Sequence, residues 1–123
     1  MGADMMDKWQ AIQSFWEGFD LPAYDRNSVP DDAVAPYITY TPLVADFEKP
    51  LVLSGSLWYR GSSWKDISQK ADEISRSLKK IIPVEGGYLF LTRGSPFAQR
   101  MDDENETVKR IYINLMAEFY TAY

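Results

Sequence analysis

The densest set of chemically capable side chains lies between Arg100 and Arg110, in the stretch RMDDENETVKR. Asp102, Asp103, Glu104 and Glu106 bring four carboxylates together, with the Asn105 amide and the Thr107 hydroxyl among them. Such a set could hold a cation, imitate a nucleic-acid backbone, or simply keep a turn wet. A calcium loop of the EF-hand kind needs acids alternating toward a central Gly and a distant Glu; neither the Gly nor the spacing is here. Imitation of DNA needs a broad carboxylate surface, and this run is short. Asn105-Glu106-Thr107 spells a glycosylation sequon, which acts only on a secreted chain. A polar, turn-forming stretch between two apolar segments is the expected tip of a hairpin.

Other candidates are sparse. Asp31-Asp32 and Asp46 with Glu48 could form a carboxylate pair, but each lies in a proline-rich loop that leaves them apart. The chain has no His and no Cys, which removes the commonest general base, thiolate nucleophiles and the usual zinc ligands. No Walker loop, GxGxxG or GxSxG pattern occurs. The expectation is a protein that is not an enzyme and uses no cofactor or metal.

The 123 residues suffice for one domain, and 46% apolar with 15% aromatic content can fill its core. No apolar run approaches the ~18 residues of a membrane span, and no signal peptide opens the chain, so a soluble, intracellular protein is expected. The net charge of −5 is lopsided. Residues 1–59 hold three Lys/Arg against nine Asp/Glu, while residues 60–123 hold ten against nine. That is either ordinary surface variation or the mark of a subunit whose acidic end meets a neighbour's less acidic end, head to tail. A basic nucleic-acid footprint is missing.

Periodicity supplies the scaffold. Met5, Met6, Trp9, Ile12, Phe15, Trp16 and Phe19 recur at helical steps, with Asp4 as N-cap and Gly18 as the stop. Five prolines between Pro22 and Pro50 forbid helix there, and only YITYT (37–41) reads as a strand. LVLSGSLWYR (51–60) alternates as a second strand, with Gly55 marking a bulge or a close approach. A second helix runs through SSWKDISQKADEISRSLKKII, opened by a Ser63/Asp66 capping box and closed by Pro83. GGYLFLTRG (86–94) and VKRIYINLMAEFYTAY (108–123) are the last strands. In the final one Ile111, Ile113, Leu115, Ala117 and Phe119 should face the core, so that Phe119→Ala would cost about 3–5 kcal/mol. The resulting expectation is an α+β domain in the order α-β-β-α-β-β: a four-stranded, largely antiparallel sheet with helices packed on one face.

The runs LSGSLWYRGSSWKDISQKADEISRSL and GGYLFLTRGSPFAQRMDDENETVKRIYINLMAEFYTAY resemble the tail-terminator or minor capsid (head–tail neck) proteins of long-tailed bacteriophages and prophages. The resemblance covers about Tyr37 to Tyr123 and is carried chiefly by GSPFAQRMDDE and VKRIYINLMAEFY. It implies a structural subunit of the virion tail or neck, made in the host cytoplasm, that closes into a hexameric ring. Such a ring caps the tail tube, ends its growth and joins it to the head connector. The implied partners are further copies of the chain, the tube protein and the connector protein, with no membrane and no sequence-specific nucleic acid. Asp31, Asp32, Arg93, Asp102, Asp103, Glu104 and Glu106, on the long polar loops, are the expected ring or partner contacts. Another neck component, or a monomeric acidic inhibitor or immunity factor, fits the same small acidic chain.

Overall fold

The computed structural model describes residues 6–41 and 49–121. Its elements are α1 (Lys8–Glu17), β1 (Ala23–Asp25), β2 (Tyr37–Tyr40), β3 (Leu51–Arg60), α2 (Lys65–Arg76), β4 (Lys80–Val84), β5 (Gly87–Met101) and β6 (Val108–Thr121). The strands form one sheet in the order β1-β2-β3-β6-β5-β4. The expected α-β-β-α-β-β fold with four strands is therefore corrected. The protein is mostly β, with a six-stranded, mixed, curled sheet and two helices.

Two strands account for the difference. β1 has three residues and pairs in parallel with β2, Ala23 opposite Ile38 and Asp25 opposite Tyr40. So short a strand among prolines has no periodicity to betray it; it exists because Ile38 N–H reaches Pro22 O at 2.8 Å and Arg26 N–H reaches Tyr40 O at 2.9 Å. β4 lies where the second helix was expected to end. The helix stops at Arg76, and Lys79 adopts φ +63° to turn the chain back. Ile82 and Val84 are then buried while Ile81 and Pro83 are exposed, a period of two. Pro83 is tolerated because β4 is an edge strand with one neighbour and needs no donor outward.

Both helix starts also differ from expectation. Asp7 caps α1: its carboxylate accepts from Gln10 N–H at 2.8 Å, and the Gln10 side chain accepts from Asp7 N–H at 3.1 Å. The expected cap, Asp4, lies outside the described residues, as do Asp46 and Glu48. At α2 the N-cap is Trp64 with no side-chain cap, and Ser63 instead accepts from Lys65 N–H. Gly18 closes α1 as its composition suggested.

The core forms where alternate residues of the central strands meet the buried stripes of the helices. Leu53, Leu57, Leu89, Leu91, Ile111, Ile113, Leu115 and Ala117 join Ile12, Phe15 and Trp16 of α1 and Ile67, Ala71 and Ile74 of α2. Burying each of these large side chains is worth about 1.5–3 kcal/mol. Gly55 is the point of closest approach: a Cβ there would lie 2.8 Å from the Trp16 ring, so glycine lets α1 press against β3. Phe119, expected in this core, is only partly buried at its margin. No helix among the described residues is long and apolar enough to cross a membrane.

Candidate functional site

The acidic stretch is shorter than the sequence suggested, because β5 runs on to Met101 through an irregularity between Arg93 and Ala98. What remains as a tip is Asp102 to Thr107. Its backbone is held by its own side chains. Asp103 Oδ1 accepts from Asn105 N–H, and Asn105 Oδ1 accepts from both Thr107 N–H and the Thr107 hydroxyl. Gly61 N–H donates to Thr107 O at 2.7 Å, and Lys109 Nζ donates to Glu106 O. The lysine that anchors the tip is itself buried and lies 5.5 Å from the Trp64 ring, with Arg100 on the same ring at 4.9 Å. Asp102, Asp103, Glu104 and Glu106 remain exposed. The tip is thus a fixed polar knuckle carrying four solvated carboxylates.

Asp31 and Asp32 are exposed in the loop between β1 and β2. The segment just after them, Ala33 to Ala35, shares a depression with Arg60 and Val108. Val108 follows the tip directly, so the fold brings these two acids to the same end of the sheet. Arg93 does not join them. It lies on β5 opposite Leu115 and braces the last turn of α2, donating from Nε to Ser75 Oγ and from Nη2 to Ser75 O, both at 2.7 Å. Among the described residues no group of three or more His, Cys, Asp or Glu could hold a metal ion. The single ion pair among them joins Lys70 to Glu73 at 3.0 Å, so the tip carboxylates have no cationic partner there.

The more elaborate surface is the sheet face that carries no core. Its residues are the alternates of the core positions. At one end they form a row of aromatic rings: Tyr24 meets Tyr37 edge-on at 5.8 Å, and Tyr37 stacks on Trp58 at 6.4 Å. Arg110 continues the row, its guanidinium 4.7 Å from the Trp58 ring and 5.8 Å from Tyr112. Ser56 Oγ accepts from Arg110 Nε at 3.1 Å, and Thr39 Oγ1 accepts from Trp58 Nε1 at 2.9 Å. These contacts fix the rings without burying them. An open cleft of about 430 Å³ lies alongside, lined by Arg26, Tyr40, Ser54 and Arg110 among others, and by no carboxylate. Burial, with Asp25 and then Glu17 adding to it, raises the Tyr40 pKa, so its phenol stays neutral.

At the other end the same face exposes several large apolar and aromatic side chains. Val52 is 62% exposed and Ile81 61%, and Tyr88 stacks on Tyr120 at 5.2 Å with both rings over a third exposed. Val52 lies opposite Met116 and Ile81 opposite Phe90, with Thr92 and Glu118 between the two pairs. The sequence alone does not single out the alternates of β3 and β6 as a site. The signal was the company of Trp58 with Arg60 and of Arg110 with Tyr112; the register that sets Trp58 opposite Arg110 came only with the sheet.

No family model matches the chain, and no curated protein matches it. A chain of a solved structure described as the virion of a native gene transfer agent particle shares the fold. It superposes with a TM-score of 0.65 over 90% of each chain, at 19% sequence identity. At that identity the likeness shows the architecture alone.

Proposed function

We propose that this chain is a non-catalytic structural subunit of a phage-like virion, acting at the tail or neck. In this reading copies of it close into a hexameric ring that caps the tail tube, ends its polymerisation and joins it to the head connector. The observation that carries the reading is the shared fold, over nine-tenths of both chains, with a component of a gene transfer agent virion. The resemblance of the segments GSPFAQRMDDE and VKRIYINLMAEFY to tail-terminator proteins points the same way.

The surface supports it physically. A sheet face bearing Val52, Ile81, Tyr88 and Tyr120 in solvent is costly unless another protein covers it. The tip acids and Asp31 and Asp32, gathered at one end, are then available to neighbours; Arg93 serves as a brace that keeps α2 on the sheet.

Light scattering over a concentration series, followed by negative-stain imaging with and without the tube protein of the same particle, tests the reading. Six-fold rings, free or seated on tube ends, are the expected result. A chain that stays monomeric at high concentration and leaves tube ends bare overturns it, in favour of a monomeric acidic inhibitor.

A further inference from the structure

The ring reading leaves open which surfaces meet, and the cleft on the core-free face supplies one. We infer that the cleft lined by Arg26 and Arg110 receives the acidic Asp102–Glu106 tip of a second copy of this chain. The inference rests on the self-association proposed above and specifies one of its contacts.

Charge is the first reason. In a chain of net charge −5, the cleft walls hold two arginines and no carboxylate. Neither arginine has a carboxylate partner among the described residues, where Lys70–Glu73 is the only ion pair. Arg110 is held in place by Ser56 and the Trp58 and Tyr112 rings, with only its Nε engaged in a hydrogen bond. A guanidinium fixed in this way loses little freedom on meeting a carboxylate, and its planar fork can bind one through two nitrogens.

The tip is the matching part. Its four carboxylates are exposed on a backbone already fixed by Asp103, Asn105, Thr107 and Lys109, so docking needs little ordering. It cannot satisfy its own arginines, because Gly61 and Arg60 tie Thr107 to the end of β3. Tip and cleft are nevertheless different surfaces. The tip closes one end of the β5–β6 pair, whereas the cleft lies on the core-free face across β2, β3 and β6, with Arg26 at its outer side after β1. A contact between them is therefore head to tail and propagates from copy to copy.

The absence of cysteine makes the test clean. Two single-cysteine variants are prepared, Val29→Cys on the cleft wall and Glu104→Cys on the tip, each checked for wild-type melting. Mixed under mild oxidation, they should give the heterodimeric disulfide severalfold over either homodimer, with a yield that falls as salt rises. Adding Arg26→Glu to the cleft variant should abolish the excess, and adding Asp102→Lys to the tip variant should restore it. If wild-type protein assembles by light scattering but the mixed variants show no excess, this contact is wrong and the ring reading stands. If wild-type protein is monomeric and no excess appears, both are overturned.

Discussion

Alternate residues of the same strands build two faces of opposite character. The core face is aliphatic and sealed: Leu57, Ile113, Leu115 and Ala117 are fully buried, and Trp16 fills the space that Gly55 leaves. One residue over, Trp58, Arg110, Tyr112 and Asn114 make hydrogen bonds and ring contacts at partial exposure, with Ser56 buried beneath them. The difference shows how stability and adhesion are separated within one sheet. Truncating the first face should unfold the protein; altering the second should leave it folded but solitary.

The largest test of that separation is Trp16→Ala. It removes the largest fully buried side chain among the described residues and should cost about 3–5 kcal/mol in denaturant unfolding. Gly55→Ala acts at the same contact from the strand side. Its Cβ would lie 2.8 Å from the Trp16 ring and 3.1 Å from Thr39 O, and overpacking of this kind should cost about 1–3 kcal/mol. Phe119→Ala sharpens the boundary between the faces. Because Phe119 is partly buried, the loss should be about 1–2 kcal/mol, below that of a sealed core position.

Replacing Asp102, Asp103, Glu104 and Glu106 by Ser crosses to the adhesive side. Melting should stay within about 0.5 kcal/mol of wild type, as for exposed charges in no ion pair of which only Asp103 accepts a local hydrogen bond, while ring or tail joining in particle complementation fails. Unaffected assembly would remove the tip from the interface. The smallest effect is on pH. Burial, followed by Asp66 and Glu73, raises the Tyr59 pKa above its ordinary value of 10.0. The folded protein then holds this proton more tightly than the unfolded chain. The stability it contributes is complete below pH 10.0 and declines as pH rises toward the folded-state value. Tyr59→Phe should flatten that alkaline decline in a pH series of melting temperatures.

Legibility in the sequence followed the length and regularity of each element. β3 spans 51–60 as its alternation indicated, and β6 begins at Val108 with Ile111, Ile113, Leu115 and Ala117 inward and Phe119 at the margin. β1 and β4 were hidden, one by brevity among prolines and the other because Lys79-Lys80-Ile81-Ile82 reads as a continuing helix until the φ of Lys79 breaks it. Of the expected contact residues, Asp31, Asp32 and the four tip acids share one end of the sheet, while Arg93 belongs to the packing of α2. Arg26 could not have been singled out at all, since a lone arginine in a loop resembles any solvated charge.

Composition and periodicity by themselves decided the absence of His and Cys chemistry, the two amphipathic helices, the long strands and the polarity of the tip. Those are properties of residue type and short-range spacing, and no distant contact is needed to express them. The six-strand order, the parallel β1, and the pairing that brings Trp58 to Arg110 were decided only by tertiary structure. Strand order and register are set by contacts between segments far apart in the chain, where the alternatives differ in packing rather than in local preference.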